Sequence, residues 1–225
     1  MGRLFALGIL GTLACCTTLA SAAFAQTGSV TGTITTSARG LAPVRVTTDQ
    51  RVCGAELPDL AVVVDAQGRL ANAVVVLVGV KRAAAADPTI TNDKCAFAPR
   101  VQIVRPSANV KTTSKDPILH TTNAQLENGR TLFNVALPIA GLTITKSIGN
   151  AGNVRLICNT HPWMRGWLIV TDEAAAITGA DGRFSIDNVP PGTYELRIWH
   201  ESLKSAPQKI TVAAGKPTAI SVQMK

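Results

Sequence analysis

Helix-forming stretches are nearly missing from this chain of 225 residues. The two alanine-rich runs, Ala83–Ala86 and Ala174–Ala176, are too short to nucleate a helix alone. Beyond residue 25 there is no apolar run long enough to cross a bilayer, so no integral membrane segment is expected in residues 26–225. Acidic residues are few, 14 against 22 Lys and Arg, for a formal net charge of +8. Aromatic residues are fewer still, at 4%, and are not interleaved with the dispersed basic ones, so no nucleic-acid partner is expected. A solvated basic surface remains, able to steer an acidic partner protein. No Gly-x-Ser-x-Gly occurs, which leaves serine-nucleophile catalysis without support. The whole chain holds three histidines, His120, His161 and His200.

What is present begins with an address. Arg3 is the one charge in residues 1–25; a run of apolar and small residues follows it and ends in Ala23-Phe24-Ala25. That is the pattern of a secretory signal peptide with cleavage after Ala25, and it implies a periplasmic or secreted protein. Cleavage before Cys15, as in a lipoprotein, ranks second because Thr12-Leu13-Ala14 fits a lipid-attachment site poorly. Signal removal takes Cys15 and Cys16 with it, leaving Cys53, Cys95 and Cys158. Export favours paired thiols, and an odd number leaves one for other work. Cys53-Gly54 lies in a polar turn and Cys95 follows the polar run Thr91–Lys94, so these two are paired and Cys158 is left free.

Short β-branched stretches run the length of the chain, among them Ser29–Thr35, Leu60–Val64, Ala73–Val80, Val110–Ser114, Thr131–Leu137, Val154–Cys158, Gly166–Thr171 and Tyr194–Trp199. Many alternate apolar with polar, and turn residues such as Asp181-Gly182 and Pro190-Pro191-Gly192 punctuate them. The pattern predicts an all-β fold of β-sandwiches.

One segment carries chemistry. Residues 158–164 read CNTHPWM, placing Cys158, His161 and Met164 three residues apart in a loop stiffened by Pro162. An electron-transfer copper site takes one thiolate and two imidazoles in a plane, with a thioether weakly on the axis. His120, at the end of Asp116-Pro117-Ile118-Leu119-His120, supplies the second imidazole; Met164 is the one methionine away from the chain ends. Zinc shares the Cys and His ligands, but the methionine in the loop favours copper. His200, beside Glu201, reads as a strand-end histidine paired with that glutamate, and Trp167 and Trp199 read as core.

The loop Cys158–Met164 resembles the ligand loop of the cupredoxins, closest to the short loop of amicyanins, with His120 where that family's upstream histidine is expected. Three departures stand out: Thr121 replaces the asparagine that usually ties the two ligand loops together, Val154-Arg155-Leu156-Ile157 lacks the usual aromatic, and residues 94–172 are short, as though an edge strand were missing or borrowed from residues 60–80. Residues 26–82 and 173–225 resemble halves of a carboxypeptidase regulatory-like, prealbumin-like sandwich, on Gly32-Thr33-Ile34, Gly68–Ala73, Thr178–Phe184 and Val189–Tyr194.

Together these resemblances are those of bacterial periplasmic methylamine-utilisation-type proteins. They imply a signal peptide at 1–25, sandwich halves at 26–93 and 173–225, and a copper domain at 94–172 between them. The implied function is single-electron transfer through one type 1 copper held by His120, Cys158, His161 and Met164. The edge of His161 would be the electron portal, and the partner a periplasmic redox protein or cytochrome. Copper storage or delivery is one alternative; a carbohydrate- or protein-binding module with a degenerate copper loop is the other.

Overall fold

The computed structural model describes Gly2 and residues 26–82, 86–149 and 151–225. Apart from Gly2, the expected signal segment lies outside the described residues, as does most of the Ala83–Ala86 run. In chain order the elements are β1 (Gly28–Thr36), β2 (Val44–Arg45), the single turn α1 (Gln50–Cys53), β3 (Glu56–Leu57), β4 (Val74–Lys81), β5 (Thr89–Asp93) and β6 (Ala96–Ala98). They continue with β7 (Val101–Val104), β8 (Asn109–Ser114), β9 (His120–Leu126), β10 (Thr131–Leu137), β11 (Thr143–Ser147), β12 (Val154–Ile157) and β13 (Arg165–Val170). The last five are β14 (Glu173–Ile177), β15 (Arg183–Val189), β16 (Gly192–Trp199), β17 (Gln208–Val212) and β18 (Pro217–Met224). The fold is all-β, as the strand patterning predicts.

Two sandwiches result. In the first, sheet β15-β1-β18 faces sheet β14-β4-β16-β17 across a core that includes Ile34, Leu77, Ile186 and Leu196. In the second, sheet β10-β9-β12-β13-β7 faces sheet β11-β8-β5-β6 across Ile90, Val110, Leu156 and Leu168. The chain leaves the first sandwich after β4, builds the second, and returns at β14, which pairs antiparallel with β4.

The run Val74-Val75-Val76-Leu77 is apolar at every position because β4 is covered on both faces. Val75 and Leu77 enter the first core, while Val74 and Val76 turn outward to a third cluster shared with Val101 and Ile169. That cluster joins the two sandwiches. Trp167 of β13 and Trp199 of β16 meet in it edge to face, with ring centroids 5.2 Å apart. These tryptophans, expected in a core, are the half-buried seam between sandwiches. An Arg100–Glu201 ion pair crosses the same seam.

Three sequence expectations are corrected. Thr89–Asp93, assigned to the first sandwich half, is β5 and pairs with β6 and β8 of the second sandwich. The additional strand therefore comes from residues 89–93, placed between β8 and β6, and none is borrowed from 60–80. Leu60–Val64 is not a strand: Val64 makes one isolated bridge to Leu70, and Val62 is buried as an apolar plug. Glu201 does not pair with His200; it binds Arg100, and the buried His200 Nδ1 accepts the Ser202 N–H at 3.2 Å. Burial holds the His200 imidazole below its ordinary range; the Glu201 carboxylate pulls the other way and Arg100 adds to burial.

A short ribbon, β2 paired with β3, and the α1 turn stand apart from both sandwiches. The disulfide Cys53–Cys95 ties α1 to the hairpin between β5 and β6, with sulfurs 1.99 Å apart. Its pairing is the one expected from the sequence. Closing a loop between residues 42 apart contributes about 4 kcal/mol by chain entropy.

Candidate metal centre

The centre is assembled at one end of the five-stranded sheet. β9 runs between β10 and β12, antiparallel to both, and begins at His120. Cys158 follows β12 directly, and Met164 precedes β13, so the seven-residue loop is the connection of an antiparallel pair whose last register is Ile157 to Arg165. Within the loop the Met164 N–H donates to the His161 carbonyl at 2.9 Å, closing a tight turn.

The structure brings three of the four expected residues into direct range. The Cys158 Sγ lies 4.0 Å from Nδ1 of His120 and 3.6 Å from Nδ1 of His161. All three potential donor atoms fall within 4.8 Å of one another, and all three residues are buried. A trigonal metal with bonds of about 2.3 Å to sulfur and about 2.0 Å to nitrogen sets sulfur and nitrogen about 3.7 Å apart, so the observed pairs bracket that separation. Met164 is buried beside Cys158 in the same core cluster. Cys158 is the free cysteine among the described residues. A second grouping, Cys95 with Asp116 and His120, loses its thiolate because Cys95 is in the disulfide.

Each imidazole turns its other nitrogen to a carboxylate. His120 Nε2 lies 2.9 Å from Asp116 Oδ2, and His161 Nε2 lies 3.0 Å from Asp49 Oδ2. A carboxylate only accepts, so each Nε2 carries a proton, and each Nδ1 faces Cys158, where it can hold a metal through its lone pair or, carrying a proton of its own, donate to the thiolate. Asp116 is fixed in turn by accepting the N–H groups of Lys94 and Cys95 at 2.9 and 2.8 Å. Those two residues both have positive φ, 52° and 57°, and join β5 to β6 as a two-residue hairpin. That is the conformation of a type I′ turn.

Thr121 does the tying expected of the missing asparagine. Its N–H donates to Cys158 Sγ at 3.3 Å, and its hydroxyl accepts the Asn159 N–H at 2.7 Å. Asn123 adds a second link, from its Nδ2 to Asn159 Oδ1 at 3.0 Å. Thr160 places its hydroxyl 3.1 Å from Cys158 Sγ and 3.2 Å from the Leu119 carbonyl, which bridges the two ligand segments again.

The portal expectation is overturned. His161 is 0% exposed, and Asp49 from the α1 turn covers the edge that was expected to reach solvent. Neither Asp49 nor Asp116 was anticipated from the sequence. Asp116 had a local signal, a carboxylate four residues before His120; Asp49 is 112 residues from His161 and had none.

Burial pushes the Cys158 thiol up, but hydrogen bonds from His120, the Thr121 N–H and Thr160 outweigh it and bring the value from 9.0 to about 5. A value depressed by folding adds stability that is complete above the unfolded value and is lost as pH falls through the folded one. The metal-free protein is therefore expected to gain stability between pH about 5 and 9.0. Thermal melts of wild type and Cys158→Ser across that range check this: the variant's pH slope is expected to be flatter, and equal slopes would refute it.

A family model described as the carboxypeptidase regulatory-like domain matches residues 168–225. Among solved structures, a purple cupredoxin from Nitrosopumilus maritimus is 23% identical, over 38% of this chain and 100% of its own, with a TM-score of 0.34. Amicyanin from Paracoccus versutus (Thiobacillus versutus) is 14% identical, over 43% of this chain and 97% of its own, with a TM-score of 0.34. A copper-containing nitrite reductase from Thermus scotoductus is 21% identical, over 42% of this chain and 24% of its own, with a TM-score of 0.30. A search of curated proteins finds no match. The chain is thus similar to a regulatory-like domain over its last part and to cupredoxins over less than half its length.

Proposed function

We propose that this chain is an exported type 1 copper protein that carries single electrons between periplasmic redox partners, and that it is not an enzyme. The observation that carries the reading is the convergence of one free cysteine sulfur and two imidazole Nδ1 atoms on three buried residues, at separations suited to one metal ion. His120, Cys158 and His161 would hold the copper, and Met164, buried beside Cys158, would be the fourth ligand. Copper, when bound, supplies a one-electron couple.

The chain's own residues supply the rest. Asp116 and Asp49 fix the imidazole tautomers, while the Thr121 N–H steadies the sulfur. Paired strands on both sides resist movement of the ligands. A frame that changes little on gain or loss of an electron is what fast transfer requires. Leu119, 43% exposed, immediately precedes His120, and Ile139, 61% exposed, follows Leu137, the cross-strand partner of His120. These two apolar side chains favour His120's side of the site as the docking face for a redox protein or cytochrome. Among the described residues no helix is long and apolar enough to cross a membrane. The periplasmic address rests on the signal pattern of residues 1–25. The regulatory-like sandwich would serve as a rigid mount or docking module.

Copper delivery is disfavoured by one feature: both histidines are fully buried and hydrogen-bonded, an arrangement that slows release. His120→Ala tests the ligand set. Copper competition against a chelator is expected to show affinity at least tenfold weaker, with circular dichroism of the fold retained. Unchanged affinity and colour would exclude His120 as a ligand.

A further inference from the structure

The two carboxylates behind the histidines share one anchor. Asp116 accepts the N–H of Cys95, and Asp49 sits at the start of the turn that ends in Cys53. The disulfide between those cysteines therefore links the outer partners of both imidazoles. Asp49 is also oddly used for its place. It occupies the N-cap of α1, where an aspartate ordinarily bonds the turn's own N–H groups through its side chain. Here its backbone carbonyl takes the Val52 and Cys53 N–H groups, each at 2.9 Å, and its side chain makes no capping bond. Its φ of 52° is a left-handed conformation, which few residues other than glycine, asparagine and aspartate adopt. The carboxylate, 44% exposed, points instead to the wholly buried ring of His161.

We infer that Asp49 is a positioning residue for His161, delivered by the disulfide-anchored α1 turn. It holds the Nε2 proton, aims the Nδ1 lone pair at the metal, and seals the imidazole edge from solvent. This deepens the metal-centre reading and rests on it for its consequence, but the hydrogen bond exists without metal. A partner protein approaching here meets a carboxylate on a tethered turn and not a bare imidazole. Copper leaving on this side has to displace that turn.

The test uses the full mature chain. In the metal-free protein, nitrogen NMR of the histidine rings reports the tautomer and the exchange of each Nε2 proton with solvent. Wild type is expected to show a slowly exchanging Nε2 proton on both His120 and His161. Asp49→Ala is expected to speed exchange at His161 at least tenfold while leaving His120 unchanged; Asp49→Asn, which keeps an acceptor oxygen, is expected to retain slow exchange. In the copper-loaded protein, Asp49→Ala is expected to hold Cu(II) about 10–100-fold more weakly in competition with a chelator, the range for loss of such an outer partner. The paired change Cys53→Ser with Cys95→Ser keeps Asp49 but removes its tether, and is expected to speed exchange at His161 as well.

Unchanged exchange at His161 in Asp49→Ala would overturn the proposal, and so would equal loosening of both histidines. Should wild type take up no copper, the metal-centre reading fails, and the ring-proton measurement still decides the role of Asp49.

Discussion

Cys158→Ser is expected to abolish the intense thiolate-to-copper absorption completely while the protein stays folded. Serine is close in volume and can still accept the Thr121 N–H, so the loop closed by Thr121 and Asn159 has no steric reason to open. The alcohol does not ionise near neutral pH, whereas the thiol it replaces does so at about 5. A soft anionic sulfur is what selects copper among these ligands and gives its site the visible charge-transfer colour. Residual Cu(II) bound by His120 and His161 is expected to be pale and weakly held. An intense band surviving in Cys158→Ser would show that the sulfur is not a ligand.

Glu201→Ala is expected to have the largest effect on stability. Glu201 meets Arg100 with two parallel hydrogen bonds, Nε to Oε1 at 2.7 Å and Nη2 to Oε2 at 2.9 Å. Both side chains are largely buried at the seam, 7% and 10% exposed. Truncating the glutamate leaves the guanidinium buried with the Arg165 carbonyl as its remaining partner. Breaking one side of such a pair costs about 3–5 kcal/mol. Removing both charges together is expected to cost less than the sum of the single changes, because the double variant leaves no lone charge behind. Urea unfolding of the four proteins in the cycle checks this; a loss under about 1 kcal/mol for Glu201→Ala would mean the pair is exposed in solution.

The parts of this molecule that were legible in the sequence are those governed by local spacing. Seven consecutive residues carry Cys158, His161 and Met164, and a strand pair closes the ends of that loop, so proximity follows from the chain itself. The Cys53–Cys95 link could be read from an odd cysteine count and the polar surroundings of both positions. The missed strands went against local propensity. His120–Leu126 reads HTTNAQL, which looks like a loop, yet it lies between β10 and β12 because its polar groups serve the site: Thr121 grips Cys158, and Asn123 grips Asn159. Ala174–Ala176 has little strand preference of its own and becomes β14 by pairing with the strongly β-forming β4. The hairpin Lys94-Cys95 lacks the glycine or asparagine that marks such turns. The bonds that Asp116 and the disulfide make to it hold the unfavourable backbone. Asp49 was invisible because its meeting with His161 depends on a ribbon and a cross-link that bring distant residues together.

The most direct measurement is a titration of the mature, metal-free protein with Cu(II), followed by visible absorption. An intense band is expected to rise to saturation at one equivalent, bleach on mild reduction and return on reoxidation. Saturation without strong colour, or no stoichiometric uptake at all, would contradict a thiolate and two imidazoles gathered around a single redox-active copper.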